Sequence, residues 1–133
     1  MELKTYVIVK PGRKAAMGDI FCELASLGRK GIFFYKSEIQ LTAEQWLSLY
    51  GCGPSSQEKD EAKKMHLQEA TAFLVYEHPL GPDALHVLME IKRLCERLVR
   101  QGDVWVPQSE ADVLLCKDIF EECGCFPQVR RWE

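Results

Sequence analysis

The order of segments along the chain predicts an α+β fold in which one antiparallel sheet carries its helices. Two kinds of segment predict it. Short apolar runs rich in β-branched and aromatic residues alternate with longer stretches whose apolar residues recur every three or four positions. At 133 residues and 47% hydrophobic content, the chain can also bury one core of its own. A single domain over residues 3–123 is expected, followed by a tail, 124–133, without periodicity.

The first strand is Leu3 to Val9, an apolar and β-branched run that stops at Lys10-Pro11-Gly12. From Met17 to Leu27 a helical face is drawn by Ile20, Phe21, Leu24 and Leu27, with Gly28 as its C-terminal stop. Ile32 to Leu41 reads as a second strand, and Thr42 with Gln45 forms a capping box for a short helix to about Tyr50. Gly51 to Ser56 is a loop by composition. Glu58 to Gln68 is a charged helix with little to bury, its charges forming a solvated face. Thr71 to Glu77 is a third buried strand. Pro79-Leu80-Gly81-Pro82 breaks the chain before Asp83 caps a long helix, whose stripe of Leu85, Leu88, Ile91, Leu94, Cys95 and Leu98 runs to about Arg100. Val104-Trp105-Val106 is a short fourth strand. Ser109 with Asp112 caps a last helix that buries Val113, Leu114, Cys116, Ile119 and Phe120. Split strand-helix-strand units in this order give a four-stranded antiparallel sheet with helices packed over it, the ferredoxin-like plan.

Composition narrows the partners. With 17 basic against 20 acidic residues and a net charge of −3, no broad positive field exists to grip a phosphate backbone, so nucleic acid is not expected as a partner. No run approaches a membrane span, and Met1-Glu2-Leu3-Lys4 opens directly into strand-like sequence. A cytoplasmic protein with no membrane association is therefore expected. The six cysteines lack the Cys-x-x-Cys spacing of a zinc site and read as reduced thiols, Cys123-Gly124-Cys125 being the one cluster.

Several segments carry a resemblance. Val7-Ile8-Val9-Lys10-Pro11 followed by Gly18-Asp19-Ile20 is similar to the N-terminus of nucleoside diphosphate kinases, where an Ile-Lys-Pro-Asp strand end precedes Gly-Glu-Ile. Ala72-Phe73-Leu74-Val75-Tyr76-Glu77 resembles that family's Val-Ala-Met-Val-Trp-Glu, and Val87-Leu88-Met89 falls where it has Arg-Val-Met-Leu. The likeness covers residues 3 to about 122 in one consistent order.

The resemblance implies chemistry that this chain lacks. The family's carrier histidine stands in an Asn-x-x-His-Gly-Ser-Asp segment and takes the γ-phosphate on a neutral imidazole nitrogen, dividing one transfer into two. Here the stretch reads Val106-Pro107-Gln108-Ser109-Glu110, and proline offers no nucleophile. Ser109 and Glu110 fall at the family's Ser-Asp, although a helix N-cap explains Ser109 equally well. The family's long loop before the last strand, which carries a threonine and an arginine for the phosphates, is also missing, since Arg100 to Val104 spans the gap directly.

The remaining nucleotide-binding candidates are Lys10, Tyr50, His86 and Arg100. Lys10 matches the lysine that reaches toward the triphosphate, where a cation would neutralise phosphoryl charge; the alternative is a solvent-exposed turn shared with Arg13 and Lys14. Tyr50 fits the family's active-site tyrosine or a residue of the core edge. His86 stands at a phosphate-binding arginine position, or on a polar helix face. The base-stacking aromatic would be expected near Ser56-Gln57-Glu58, where no ring exists. His66 and His78 read as surface residues.

Three functions follow. The favoured one is a non-catalytic module that keeps the kinase fold for nucleotide binding or protein assembly, as a homo-oligomer. The second is an active phosphotransferase using His86 or His78 as carrier, or transferring directly with Lys10 and a magnesium ion brought with the nucleotide. The third is a ferredoxin-like regulatory ligand-binding domain. Convergence of Lys10 and Tyr50 on a cleft under the helix pair would favour nucleotide binding; a cleft filled by apolar groups would favour regulation or assembly.

Overall fold

Four strands and five helices follow one another in a computed structural model that describes residues 2–27, 32–51, 53–77 and 84–124. They are β1 (Glu2–Val9), α1 (Lys14–Ser26), β2 (Ile32–Gln40), α2 (Ala43–Tyr50), α3 (Ser56–Met65), β3 (Glu69–Glu77), α4 (Ala84–Gln101), β4 (Val104–Trp105) and α5 (Glu110–Cys123). The strands form one sheet in the order β2-β3-β1-β4, every neighbouring pair antiparallel. This α+β arrangement is compatible with the ferredoxin-like plan. Among the described residues no helix is long and apolar enough to cross a membrane.

Helices cover both faces of the sheet. On one side, Tyr6, Ile8, Ala72 and Leu74 pack with Trp46 and Leu49 of α2, Ala62 and Met65 of α3, and Cys116 and Phe120 of α5. On the other, Val7, Val9, Phe73 and Val75 meet Ile20 and Leu24 of α1 and Ile91, Cys95 and Leu98 of α4. Successive strand residues point to opposite faces, so a strand covered on both sides must be apolar at every position. That is why β1 and β3 each hold an unbroken apolar run, Tyr6 to Val9 and Ala72 to Tyr76.

The helix ends carry their own instructions. Thr42 and Gln45 make the expected capping box, and Ser55 with Glu58 makes a second that starts α3 two residues before the expected Glu58. Ser109 accepts from the Asp112 amide as the N-cap of α5, and Gly124 ends that helix in the left-handed conformation. At the end of α4, Gly102 adopts φ +77° and donates to Val99, while Asp103 donates to Leu98. This Schellman pair closes the helix within two residues and delivers the chain straight into β4. Asp83 and Gly28, expected as cap and stop, lie outside the described residues, as do residues 125–133 of the tail.

Two expected core residues are not buried. Phe21 is exposed on α1, where its ring meets Phe34 edge-on at 5.4 Å, and Leu114 is exposed on α5. In both helices Ile20 or Val113, one position earlier, takes the inward place. A helical stripe read from spacing alone extends one residue too far around the cylinder.

Candidate functional site

Lys10 is the first residue beyond β1. Its backbone amide donates to the Asp103 carbonyl at 3.0 Å, and a turn through Pro11 and Gly12, with Gly12 at φ +77°, returns the Arg13 amide to the Lys10 carbonyl. The side chain shares the parity of Tyr6 and Ile8, and it reaches the α2/α3 side of the sheet. There it is almost enclosed, only 10% exposed, so it is no solvent-facing turn lysine.

What meets it is a carboxylate. The Lys10 Nζ donates to Glu61 Oε1 at 2.7 Å, the Tyr50 hydroxyl donates to the same oxygen, and the ammonium lies 5.4 Å from the Tyr50 ring centroid. Lys10 and Tyr50 thus converge under the helix pair, with Glu61 of α3 between them. A charge-assisted bond of this length, with its ammonium end almost enclosed, is stronger than a neutral one. Burial alone pushes the Glu61 carboxyl up, but the hydrogen bonds from Lys10 and Tyr50 and the Lys10 and Arg13 charges outweigh it, holding the group below the ordinary glutamate value. Burial and then the Glu61 bond push the Tyr50 hydroxyl well above its usual value, so it stays a neutral donor.

Glu61 is the residue the sequence reading missed. Taken as part of a solvated charge run, it in fact flanks the buried stripe of α3, since Ala62 and Met65 are the buried positions beside it. That pair, three residues apart in an otherwise polar helix, is the signal that places Glu61 at the edge of the core.

A groove of about 350 Å³ opens on the α1 side of the same sheet end, bordered by Lys10, Gly12, Arg13, Glu38, Glu69 and Thr71. Its charges are largely matched: Arg13 pairs with Asp103 at 3.1 Å, and Thr71 donates to Glu38 at 2.9 Å. Arg100 belongs elsewhere. It is exposed on α4, bonded to Glu96, and borders a separate depression with Glu96, Arg97 and Gln101. The His86 side chain and all of His78 lie outside the described residues. Exposed His66 accepts from the Ala43 amide at 2.9 Å through Nδ1, which ties α3 to the start of α2.

Pro107 is buried and follows β4, which pairs with β1 at Val104 and Trp105 and runs back along it from Asp103. Gln108 and Ser109, both exposed, serve the start of α5, the Gln108 amide donating to Asp112 at 3.0 Å. At the position expected for a base-stacking ring, Glu58 is committed to the Ser55 cap. Among the described residues no cluster of three or more metal-ligating side chains forms. Cys22, Cys95, Cys116 and Cys123 are free thiols, and burial pushes Cys95 up to about 12 and Cys116 higher, leaving both unreactive. Cys52 and Cys125 lie outside the described residues.

The chain matches no protein-family model and no curated protein.

Proposed function

We propose that this chain is a catalytically inactive nucleoside diphosphate kinase-like module of the cytoplasm, serving protein assembly as a homo-oligomer. The observation that carries the loss of catalysis is the pairing of Lys10 with Glu61: the cation in the phosphate lysine's place is already neutralised at 2.7 Å. The carrier position holds a buried proline, which adds no nucleophile. The strand and helix order supports the kinase-like reading, because it follows that family's order through residue 122.

Assembly is favoured by the outer side of β2, which pairs with no other strand among the described residues. This nine-residue strand is a sheet edge, and edges of that length invite pairing with another chain. Phe33 and Tyr35 are 48% and 39% exposed on it, with Tyr35 stacked on Tyr76 at 5.0 Å. Phe21 of α1 extends the apolar surface on the opposite face. A second reading, nucleotide binding with magnesium carried in by the nucleotide, is favoured by the convergence of Tyr50 on Lys10.

Incubation with γ-labelled ATP and a nucleoside diphosphate tests the proposal. The expected result is neither a labelled protein nor a labelled triphosphate product. Stoichiometric labelling on His78 or His86 would establish the active phosphotransferase instead.

A further inference from the structure

In the Lys10, Tyr50 and Glu61 cluster, Lys10 presents its ammonium in one direction only, toward the α2/α3 side, and that direction is occupied. Glu61 Oε1 lies 2.7 Å from Nζ and also accepts from the Tyr50 hydroxyl. A phosphate oxygen bound by a lysine and a tyrosine would require the same two donors at the same spacing. The second cation of this corner, Arg13, is likewise held by Asp103.

Glu61 has no other described task. The start of α3 is capped by Ser55 and Glu58, and its apolar contacts come from Ala62 and Met65. Beyond α3, the Leu67 amide donates to the Leu41 carbonyl at 2.8 Å and His66 holds Ala43, so the C-terminal end of α3 stays tied whether or not Glu61 is in place. The carboxylate side chain is 34% exposed, with room to swing outward, whereas Lys10 is not.

We propose that Glu61 is a resident anion: it stands where a terminal phosphate oxygen would stand on Lys10 and Tyr50, and it keeps nucleoside di- and triphosphates out unless displaced. This rests on the reading of Lys10 as the phosphate lysine of a kinase-like fold. A tethered competitor of this kind acts at high effective concentration, so an incoming polyphosphate must surpass a neighbour that never leaves. Removing the carboxylate leaves two donors facing an unfilled anion position.

Calorimetric titration of the full chain with inorganic tripolyphosphate and with ADP distinguishes the outcomes. Glu61→Gln and Glu61→Ala are expected to bind tripolyphosphate at least about tenfold more tightly than wild type, a difference of about 1.4 kcal/mol. The double variant Lys10→Met/Glu61→Gln should return to the wild-type level. Tyr50→Phe, which removes one donor holding Glu61 and keeps the ring, supplies a second route and should weaken the ligand-bound state of Glu61→Gln. Equal binding by wild type and either folded Glu61 variant, or full binding by the double variant, overturns the proposal. A gain for tripolyphosphate with none for ADP upholds the resident anion while removing the nucleotide reading.

Discussion

The ion pair at Lys10 makes a prediction about pH. Glu61 has its carboxyl value lowered in the folded protein by Lys10, Tyr50 and Arg13, with Glu58 also close to Tyr50. A depressed carboxylate contributes stability above its unfolded value, about 4.3, and loses it as pH falls through the folded value. With a third of the side chain still solvated, the pair should contribute about 1 kcal/mol at neutral pH. Urea unfolding of wild type and Glu61→Gln should therefore differ by that amount at pH 7 and converge as pH falls through the lowered folded-state value of Glu61. Two other residues stand against their surroundings. Thr5 is fully buried, and its hydroxyl has no hydrogen-bond partner among the described residues, so Thr5→Val should raise stability by about 1 kcal/mol. Leu67 sits at φ +56° with half its surface exposed. The left-handed region costs a side chain of this type about 1–2 kcal/mol, and Leu67→Asn should recover about half of that in the same assay. None of these three was legible beforehand, because a missing hydrogen bond and a dihedral are made by neighbours that only folding brings together.

At the scale of elements, much was legible. The caps at Thr42 and Ser109 are local signals that act within three residues, and both operate as their spacing implies. The charged α3 was harder. Its composition hides that it is a working part of the fold, anchored by the Ser55 cap at one end and by His66 at the other. Replacing either anchor with alanine should lower stability by about 1 kcal/mol, read as a drop in melting temperature. The long-range ties, His66 to Ala43 across 23 residues and Lys10 to Glu61 across 51, have no sequence signature, since nothing in the spacing says which loop brings them together. The candidate site was thus half visible. Its lysine and tyrosine were identified, but not the acid that joins them, and Arg100 lies on a different surface.

For the whole molecule, sheet order leaves β2 and β4 at the edges, but only β2 is long. If the β2 edge mediates assembly, Tyr35→Lys should shift sedimentation from oligomer toward monomer while leaving the circular dichroism spectrum unchanged, because the residue lies outside both cores. The two-sided cover of the sheet has a separate consequence for how this sequence can vary. In a saturation library selected for folding, positions 6–9 and 72–75 should reject polar residues at odd and even sites alike, while positions 33–40 should accept them at most sites. The inner strands have no free parity in which substitutions could accumulate. Sequence drift in this protein is therefore channelled into its rim and its helices' outer faces, while the middle of the sheet changes slowest.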